Sequence, residues 1–529
     1  MPNSDRLALL VAVLTGFTFA ASICMGAAPI QDAAEAIWPT KEWQTSTPEE
    51  QGVDSKALAN LIDFGTMHDF DSLLVVRHGK IVAEAYYAPY TQGIPHTVYS
   101  VTKAIISTLT AIAWKEGLLD SPNHRVLELF DERRTADLDS RKEAITVQDL
   151  LNMRSGIAWT EPPDVRPYSI LEMERSPDWV KFILDRPVSS APGDKFNYNS
   201  GNAHLLSAII TKITGISALE YAKAKLFGPL GITDVSWRQD PQGISIGGYG
   251  LSLQPRDMAK IGYLYLRNGV WEGKQLLPPA WIDKVSHATQ NMHDPLEPEL
   301  RYSNLFWALP NKHVYMAVGY HGQVIIVFPD LDVVMVKTSR RWCRLDRLAD
   351  LVSGSVKSDT SLPADAASAK LLANKILDVS TEKPTEVGPT SKMAAIVSGK
   401  VYRFPPNEIN LRSLSLILTG PQPHYDIETY DRDTTKPGER FSRPIGLDGL
   451  YRKGEMVYHG VDTRFEGLPR VNAVNGAWQG DHAFVIDRLV LGLGQPPEQS
   501  TLTFFGEKLN VLINITEGGQ ILIDGETGG

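Results

Sequence analysis

The chain is poor in cysteine: two occur in 529 residues, Cys24 and Cys343. Two thiols build neither a disulfide framework nor a thiolate zinc cluster. Positive charge is also in deficit. Lys and Arg number 52 against 62 Asp and Glu, a formal charge of -10. A chain without a basic field is not expected to bind nucleic acid or an anionic membrane. The 12 histidines show no HExxH or paired-carboxylate spacing, so neither a metal site nor any other cofactor is expected. Internal repeats are missing, and long apolar runs are missing with one exception. Arg6 precedes an almost unbroken apolar stretch over residues 7–21, and Gly26, Ala27 and Ala28 follow. A positive start, an apolar middle and small residues at the end make a signal peptide. About 15 apolar residues are fewer than the roughly 20 a membrane span needs. Residues 1–28 are therefore expected to be removed on export, leaving a periplasmic or secreted protein. The alternative is a retained N-terminal anchor.

What is present is ordinary globular material, 43% apolar and 22% charged, in a length that suits two or three domains. From residue 38 to about 344 helical and strand patterns alternate. Residues 72–87 read as two short strands, LLVV and KIVAEAYY, turning at His78-Gly79. Residues 100–115 read as a buried helix with Ile105, Ile106, Leu109 and Ile112 on its apolar side and Gly117 as its stop. Further helices are expected over 146–153 and 202–214. Two β-branched runs, 324–328 and 331–336, are separated by Pro329-Asp330 and read as a hairpin. Residues 353–392 read as linker, helix (364–377), linker. After Met393 short strand-like runs recur between Gly- and Pro-bearing turns, an all-β barrel or sandwich over 393–529.

The sharpest local feature is Ser100-Val101-Thr102-Lys103, at the start of the buried helix. A serine hydroxyl needs a partner to take its proton before it becomes a nucleophile. Residues three apart on a helix are stacked neighbours, so this spacing sets a lysine against the hydroxyl. The helix N-terminus adds N–H groups that stabilise developing negative charge. Taken alone, the pattern equally fits a capping serine followed by a solvated lysine. Ser380-Thr381-Glu382-Lys383 repeats it in a polar linker before Pro384, where no buried helix presents it. Two other segments bear on the choice. Tyr198-Asn199-Ser200 lies in a loop just before a helix, and a tyrosine hydroxyl beside a lysine can relay a proton. Gly319-Tyr320-His321-Gly322-Gln323 opens the 324–328 strand, where glycines allow close approach of a substrate and the next backbone N–H can donate to an oxyanion.

With these motifs in this order, the sequence resembles the serine β-lactamase and penicillin-binding-protein superfamily, specifically the class C β-lactamase-like serine hydrolases. That group includes esterases, D-amino-acid peptidases and oligoamide hydrolases. ITVQDLLNMRSGI (145–157), GGYGLSLQPRDMAKIGYLYLRNG (247–269) and FPDLDVVMV (328–336) are similar to the family as well. The resemblance implies an α+β fold, an α/β sandwich with an antiparallel sheet, flanking helices and a helical subdomain over residues 38–352. The part from 393 onward resembles the lipocalin-like β-barrels appended to some relatives. It further implies Ser100 as the acylated nucleophile, Lys103 and Tyr198 as the proton-transfer pair, and the backbone N–H groups of Ser100 and Gln323 as the oxyanion hole. Tyr320, His321, Gly322, Asn199 and Ser200 fall at the substrate-binding positions. Two departures stand out. The second motif often reads Tyr-x-Asn, whereas here Ser200 holds the third place beside Asn199. The third reads Lys-Thr-Gly in true β-lactamases and Tyr320-His321-Gly322 here, which removes the lysine that helps hold a β-lactam carboxylate.

The expectation is an exported serine hydrolase that forms an acyl-enzyme on Ser100 and cleaves a small ester, amide or peptide. A D-amino-acid peptidase, a weak β-lactamase and a slow-turnover penicillin-binding sensor are the alternatives. Lys337-Thr338-Ser339 imitates Lys-Thr-Gly but ends the second hairpin strand instead of opening the first. Gly243-Ile244-Ser245-Ile246-Gly247 imitates a nucleophile elbow, yet Gly248 and Gly250 follow where that turn requires a helix.

Overall fold

The computed structural model describes residues 37–528 apart from 131, 133–134, 162–166, 432–436, 458–468 and 516–518. The expected signal peptide, 1–28, lies outside the described residues.

Strands rich in β-branched residues assemble a nine-stranded sheet. Its order is Gln44–Thr45, Lys80–Tyr86, Phe70–Arg77, Val333–Ser339, Gln323–Phe328, Val314–Gly319, Phe306–Leu309, Arg301–Ser303 and Gln290–Asn291. Every pairing is antiparallel except that of Gln44–Thr45 with Lys80–Tyr86. The expected turn at His78-Gly79 forms with both residues at positive φ, 50° and 75°. The expected hairpin pairs Val324 with Lys337 through Phe328 with Val333.

Side-chain alternation divides this sheet between two cores. Leu74, Val76, Ile325, Val327, Val334 and Val336 face one way. There they meet the helices Val101–Lys115 and Pro255–Leu266, and Ser200–Thr214 packs in turn against Val101–Lys115. Leu73, Val75, Val324, Ile326, Val333 and Met335 face the other way, against Ser55–Met67 and Leu345–Ser355. The result is helices over both faces of a sheet, an α+β sandwich. Because both faces are covered, the four central strands read as continuous apolar runs with no polar face. The helix expected between two linkers forms as Ala366–Ser380. It is no free spacer. Leu372 enters the second core, Lys375 pairs with Asp63 at 2.8 Å, and the Ala88 N–H donates to the Val379 carbonyl at 2.8 Å.

Ten antiparallel strands from Val401–Arg403 to Gly519–Thr527 form the second sheet. The last strand pairs back onto the first, Tyr402 with Thr527, and the two edge strands, Pro437–Pro444 and Arg452–Val457, lie beside each other. The sheet is thus a nearly closed barrel around its own core, which includes Tyr402, Phe404, Leu416, Phe484, Leu502 and Phe504. Residues 37–529 make one compact unit. Ala473, Leu489 and Leu491 of the barrel bury Tyr90 and Ile94 just ahead of the Ser100 turn. Among the described residues, no single helix is long and apolar enough to cross a membrane.

Candidate active site

Ser100 is the N-cap of Val101–Lys115, a helix in which every residue from Val101 to Ala113 is buried. The residue before it, Tyr99, has φ 47°. A bulky side chain in the left-handed region is strained, and it holds that conformation only because its surroundings fix it. They do so from three sides. The Val98 N–H donates to the Leu251 carbonyl at 2.9 Å, and the Thr97 N–H to the Gly492 carbonyl at 2.7 Å. The Tyr99 hydroxyl donates to the Leu493 carbonyl at 2.6 Å. Gly492 and Leu493 directly follow the barrel strand Ala483–Leu491, so the barrel props the turn that carries Ser100.

Lys103 lies one turn on and is 1% exposed. Its Nζ is 3.0 Å from Ser100 Oγ, 2.9 Å from Ser200 Oγ and 2.8 Å from the Gly248 carbonyl oxygen. It also sits 4.7 Å from the centroid of the Tyr198 ring. The lysine therefore meets the face of Tyr198, and the tyrosine hydroxyl makes no hydrogen bond to a described residue. Tyr302 and Trp307 brace that ring edge-on, each at 6.4 Å.

Ser200 is itself held by Glu161, a residue the sequence reading did not select. The carboxylate accepts the Ser200 N–H at 2.6 Å, the Ser200 hydroxyl at 3.0 Å and the Trp159 indole N–H at 2.6 Å. Glu161 is buried, and its charge meets the first N–H of the helix Ser200–Thr214, where the helix dipole favours an anion. This fixes the direction of a hydrogen-bond chain. Ser200 gives its proton to Glu161, so its oxygen must accept from Lys103. The Gly248 carbonyl can only accept as well. Two N–H bonds of Lys103 are thereby assigned, and the third position on Nζ faces Ser100 Oγ. In the amine form that position is a lone pair; in the ammonium form it is a third N–H. Nearby Tyr302 is held protonated, its pKa raised chiefly by burial and further by Tyr198 and Glu161.

Asn199, placed with the substrate-binding residues by the motif, acts in the structure as the N-cap of the same helix, its side chain accepting the Asn202 N–H at 3.1 Å. Ser200 is the member of the pair that reaches Lys103. The third motif lies across Gly319. A Cβ on Gly319 would stand 2.3 Å from the Val98 carbonyl oxygen, 3.2 Å from Gln323 Cβ and 3.3 Å from the Ser100 nitrogen. Only glycine lets the Ser100 amide and the start of the Gln323–Phe328 strand approach this closely. The Gln323 side chain is fully buried and donates to the Ser339 carbonyl at 2.6 Å, so it anchors the strand end. Tyr320 and His321 meet the Tyr99 ring edge-on, at 5.8 and 5.9 Å between ring centroids. His321 and Gly322 both have positive φ, 58° and 88°. The Ser339 hydroxyl ties this turn down through the His321 carbonyl at 2.7 Å.

The two imitations of motifs are structural. Lys337 is fully buried against the Phe70 ring at 4.3 Å and donates to Cys343 Sγ at 3.1 Å. Both partners belong to the core on the sheet face away from Ser100, and burial lowers the lysine pKa. Ser245 is buried too, its hydroxyl accepting the Leu219 N–H at 3.2 Å, with no side-chain base against it among the described residues. Groups of His, Cys, Asp and Glu fit to hold a metal ion are absent among the described residues.

A serine at a helix N-terminus against a buried lysine, with a second serine and a tyrosine around that lysine, is an arrangement able to activate a hydroxyl. The chain belongs to the Beta-lactamase family, whose sequence model matches residues 71–350, more than half of the chain. It is 25% identical over 288 residues to the 6-aminohexanoate-dimer hydrolase of Paenarthrobacter ureafaciens, covering 51% of this chain and 72% of that one. It is 26% identical over 193 residues to Protein flp of Staphylococcus aureus, covering 35% of this chain and 38% of the relative. Among solved structures, the octameric penicillin-binding protein homologue from Pyrococcus abyssi aligns over 88% of this chain and 99% of its own, with a TM-score of 0.46 and 15% identity.

Proposed function

We propose that the protein is an exported acyl-serine hydrolase of esters or amides, with Ser100 as nucleophile and Lys103 as its base. One observation carries the reading: Lys103 Nζ stands 3.0 Å from Ser100 Oγ while its other two partners, Ser200 Oγ and the Gly248 carbonyl, fix its remaining hydrogens. In the amine form the lone pair can only point at the nucleophile. Ser100 Oγ bonds to the substrate carbonyl carbon as its proton passes to Lys103, and the oxyanion meets the N–H groups of Ser100 and Gln323. Collapse expels the alcohol or amine, which takes the proton from Lys103 directly or through the Tyr198 hydroxyl. Water then enters, gives up a proton to the same pair and releases the acid. Glu161 touches no substrate atom in this scheme. It is a positioning residue that keeps Ser200 an acceptor toward Lys103.

The third motif favours esters and amides over β-lactam antibiotics. Tyr320-His321-Gly322 offers no lysine, and Lys337, whose Nζ lies by the Gly322 turn, is fully buried and bonded to Cys343 Sγ. A relative named for hydrolysis of the 6-aminohexanoate dimer supports an amide as one class of substrate. Export rests on the leader-like pattern of residues 1–28.

Labelling the folded protein with a fluorophosphonate and mapping the adduct by mass spectrometry tests the assignment. A single phosphonyl group on Ser100, lost in Ser100→Ala, is expected. Label on Ser245, or none on folded protein, would overturn it.

A further inference from the structure

The barrel encloses a cavity of about 410 Å³ that the hydrolase mechanism does not use. That volume lies in the range of small-molecule sites, about 300–1,000 Å³. Strand alternation sets out its wall in steps. On His424–Tyr430 the residues Tyr425, Ile427 and Thr429 line it; on the paired strand Pro437–Pro444 the lining residues are Arg443, Phe441 and Glu439. Tyr425 is the register partner of Arg443, and Ile427 that of Phe441. The rim carries Glu439, Glu408 and Asn410, all exposed. The inner end carries Arg443 and Tyr425, both buried. Four residues of strand separate rim from inner end, about 13 Å at ~3.3 Å per residue. Leu414, Leu502, Val511 and Ile513 complete an apolar wall between them.

Arg443 is the anomaly. It is 5% exposed, its Nε has no hydrogen-bond partner, and it forms no ion pair among the described residues. The charged groups near it are Arg488 and Glu498, with Tyr425 as its polar neighbour. Arg488 Nη2 is already paired with Glu498 at 3.1 Å. Among the described residues the charged groups around the inner end are thus two guanidinium groups and one carboxylate, and that carboxylate is bonded to Arg488 and not to Arg443. Burial acts against the Arg443 charge and lowers its pKa. The Phe441 ring lies 5.7 Å from its guanidinium carbon, but a buried cation without an ion-pair partner is still costly, and the cost falls when an anion enters beside it. The rim glutamates stand in water, where their repulsion of an entering anion is screened.

We propose that this barrel binds a small amphipathic carboxylate, its headgroup on the Arg443 guanidinium and its aliphatic chain along Ile427 and Phe441 toward the rim. A planar carboxylate matches the guanidinium fork, and the apolar wall takes the chain. The site is independent of the reading of Ser100.

Calorimetric titration of the whole chain with decanoate, 1-decanol and decyl phosphate tests it. Decanoate is expected to bind at least tenfold more tightly than decanol. Arg443→Met is expected to bring that ratio to about one. Its thermal midpoint without ligand should equal or exceed the wild-type value, since a buried unpaired charge has gone; a purely structural arginine would lower it. Ile427→Trp, which fills the cavity and keeps the charge, is expected to weaken decanoate and decanol alike. No decanoate binding to the wild type, equal binding of decanoate and decanol, or a preference that survives Arg443→Met would each overturn the proposal. Decyl phosphate binding tenfold more tightly than decanoate would overturn the carboxylate assignment.

Discussion

Glu161→Gln is the substitution that most directly probes the hydrogen-bond chain behind Ser100. The amide oxygen of glutamine can still accept from the Ser200 and Trp159 N–H groups, now 2.6 Å from Glu161 Oε1. The amide nitrogen then replaces Oε2 and faces the Ser200 hydroxyl, at present 3.0 Å away. It must donate, so Ser200 can no longer give its proton in that direction and turns it toward Lys103, 2.9 Å away. The lone pair that faced Ser100 is then shared with Ser200. Reaction requires breaking that bond, and hydrogen bonds of this kind contribute about 1–3 kcal/mol, which is ~5- to 150-fold in rate. The assay is the second-order rate of Ser100 phosphonylation, which needs no knowledge of the substrate, together with kcat/KM on an ester across pH. Both are normalised to titrated sites, so that a loss of folded protein does not imitate a loss of reactivity. Ser200→Ala should slow labelling comparably, and the double variant should be no slower than about the worse single one, because both act on one chain. Labelling by Glu161→Gln within twofold of wild type at every pH would refute the reasoning.

Other consequences follow from the same geometry. Gly492→Ala puts a Cβ 2.1 Å from the Pro95 carbonyl oxygen at φ 81°. It should loosen the barrel from the Ser100 turn, costing about 1–3 kcal/mol of stability and lowering the labelling rate by more than the loss of folded protein explains; an unchanged rate would show that the barrel contact is passive. Asp71 has its pKa raised to about 7, chiefly by burial and against the pull of Arg340. The fold therefore favours its protonated form, and this contribution is full below about pH 4 and lost as pH rises through 7. The wild-type thermal midpoint should fall between pH 5 and 8 by more than that of Asp71→Asn, and parallel curves would exclude Asp71 as the source. Leu109→Ala, at a fully buried site, should cost about 2–5 kcal/mol in chemical denaturation.

The Ser100–Lys103 pair was legible because its geometry is local. Ser100 and Lys103 are one helical turn apart, and the apolar pattern after them marks a buried helix. The strand pairs around His78-Gly79 and Pro329-Asp330 were legible for the same reason, as turn residues between β-branched runs. Glu161 was not. It reaches Ser200 across 39 residues and Lys103 bonds to Gly248 across 145, and no spacing rule links such positions. Asn199 and Ser200 are adjacent, and the motif alone could not say which faces the lysine. The helix cap decided it, since one side chain turns back to close the helix and the other enters it.

The sequence by itself determined the elements, the SxxK pairing and the order of the motifs, because hydrophobic period, turn residues and helical spacing act over a few residues. Tertiary structure alone decided which way the protons in the Glu161–Ser200–Lys103 chain point. It alone brought the Leu493 carbonyl under Tyr99 across 394 residues, and it alone left Arg443 buried in a cavity with its Nε unbonded and no ion pair among the described residues. Each of these depends on partners that only the packing of distant segments brings within hydrogen-bond reach, where direction and burial set the energy.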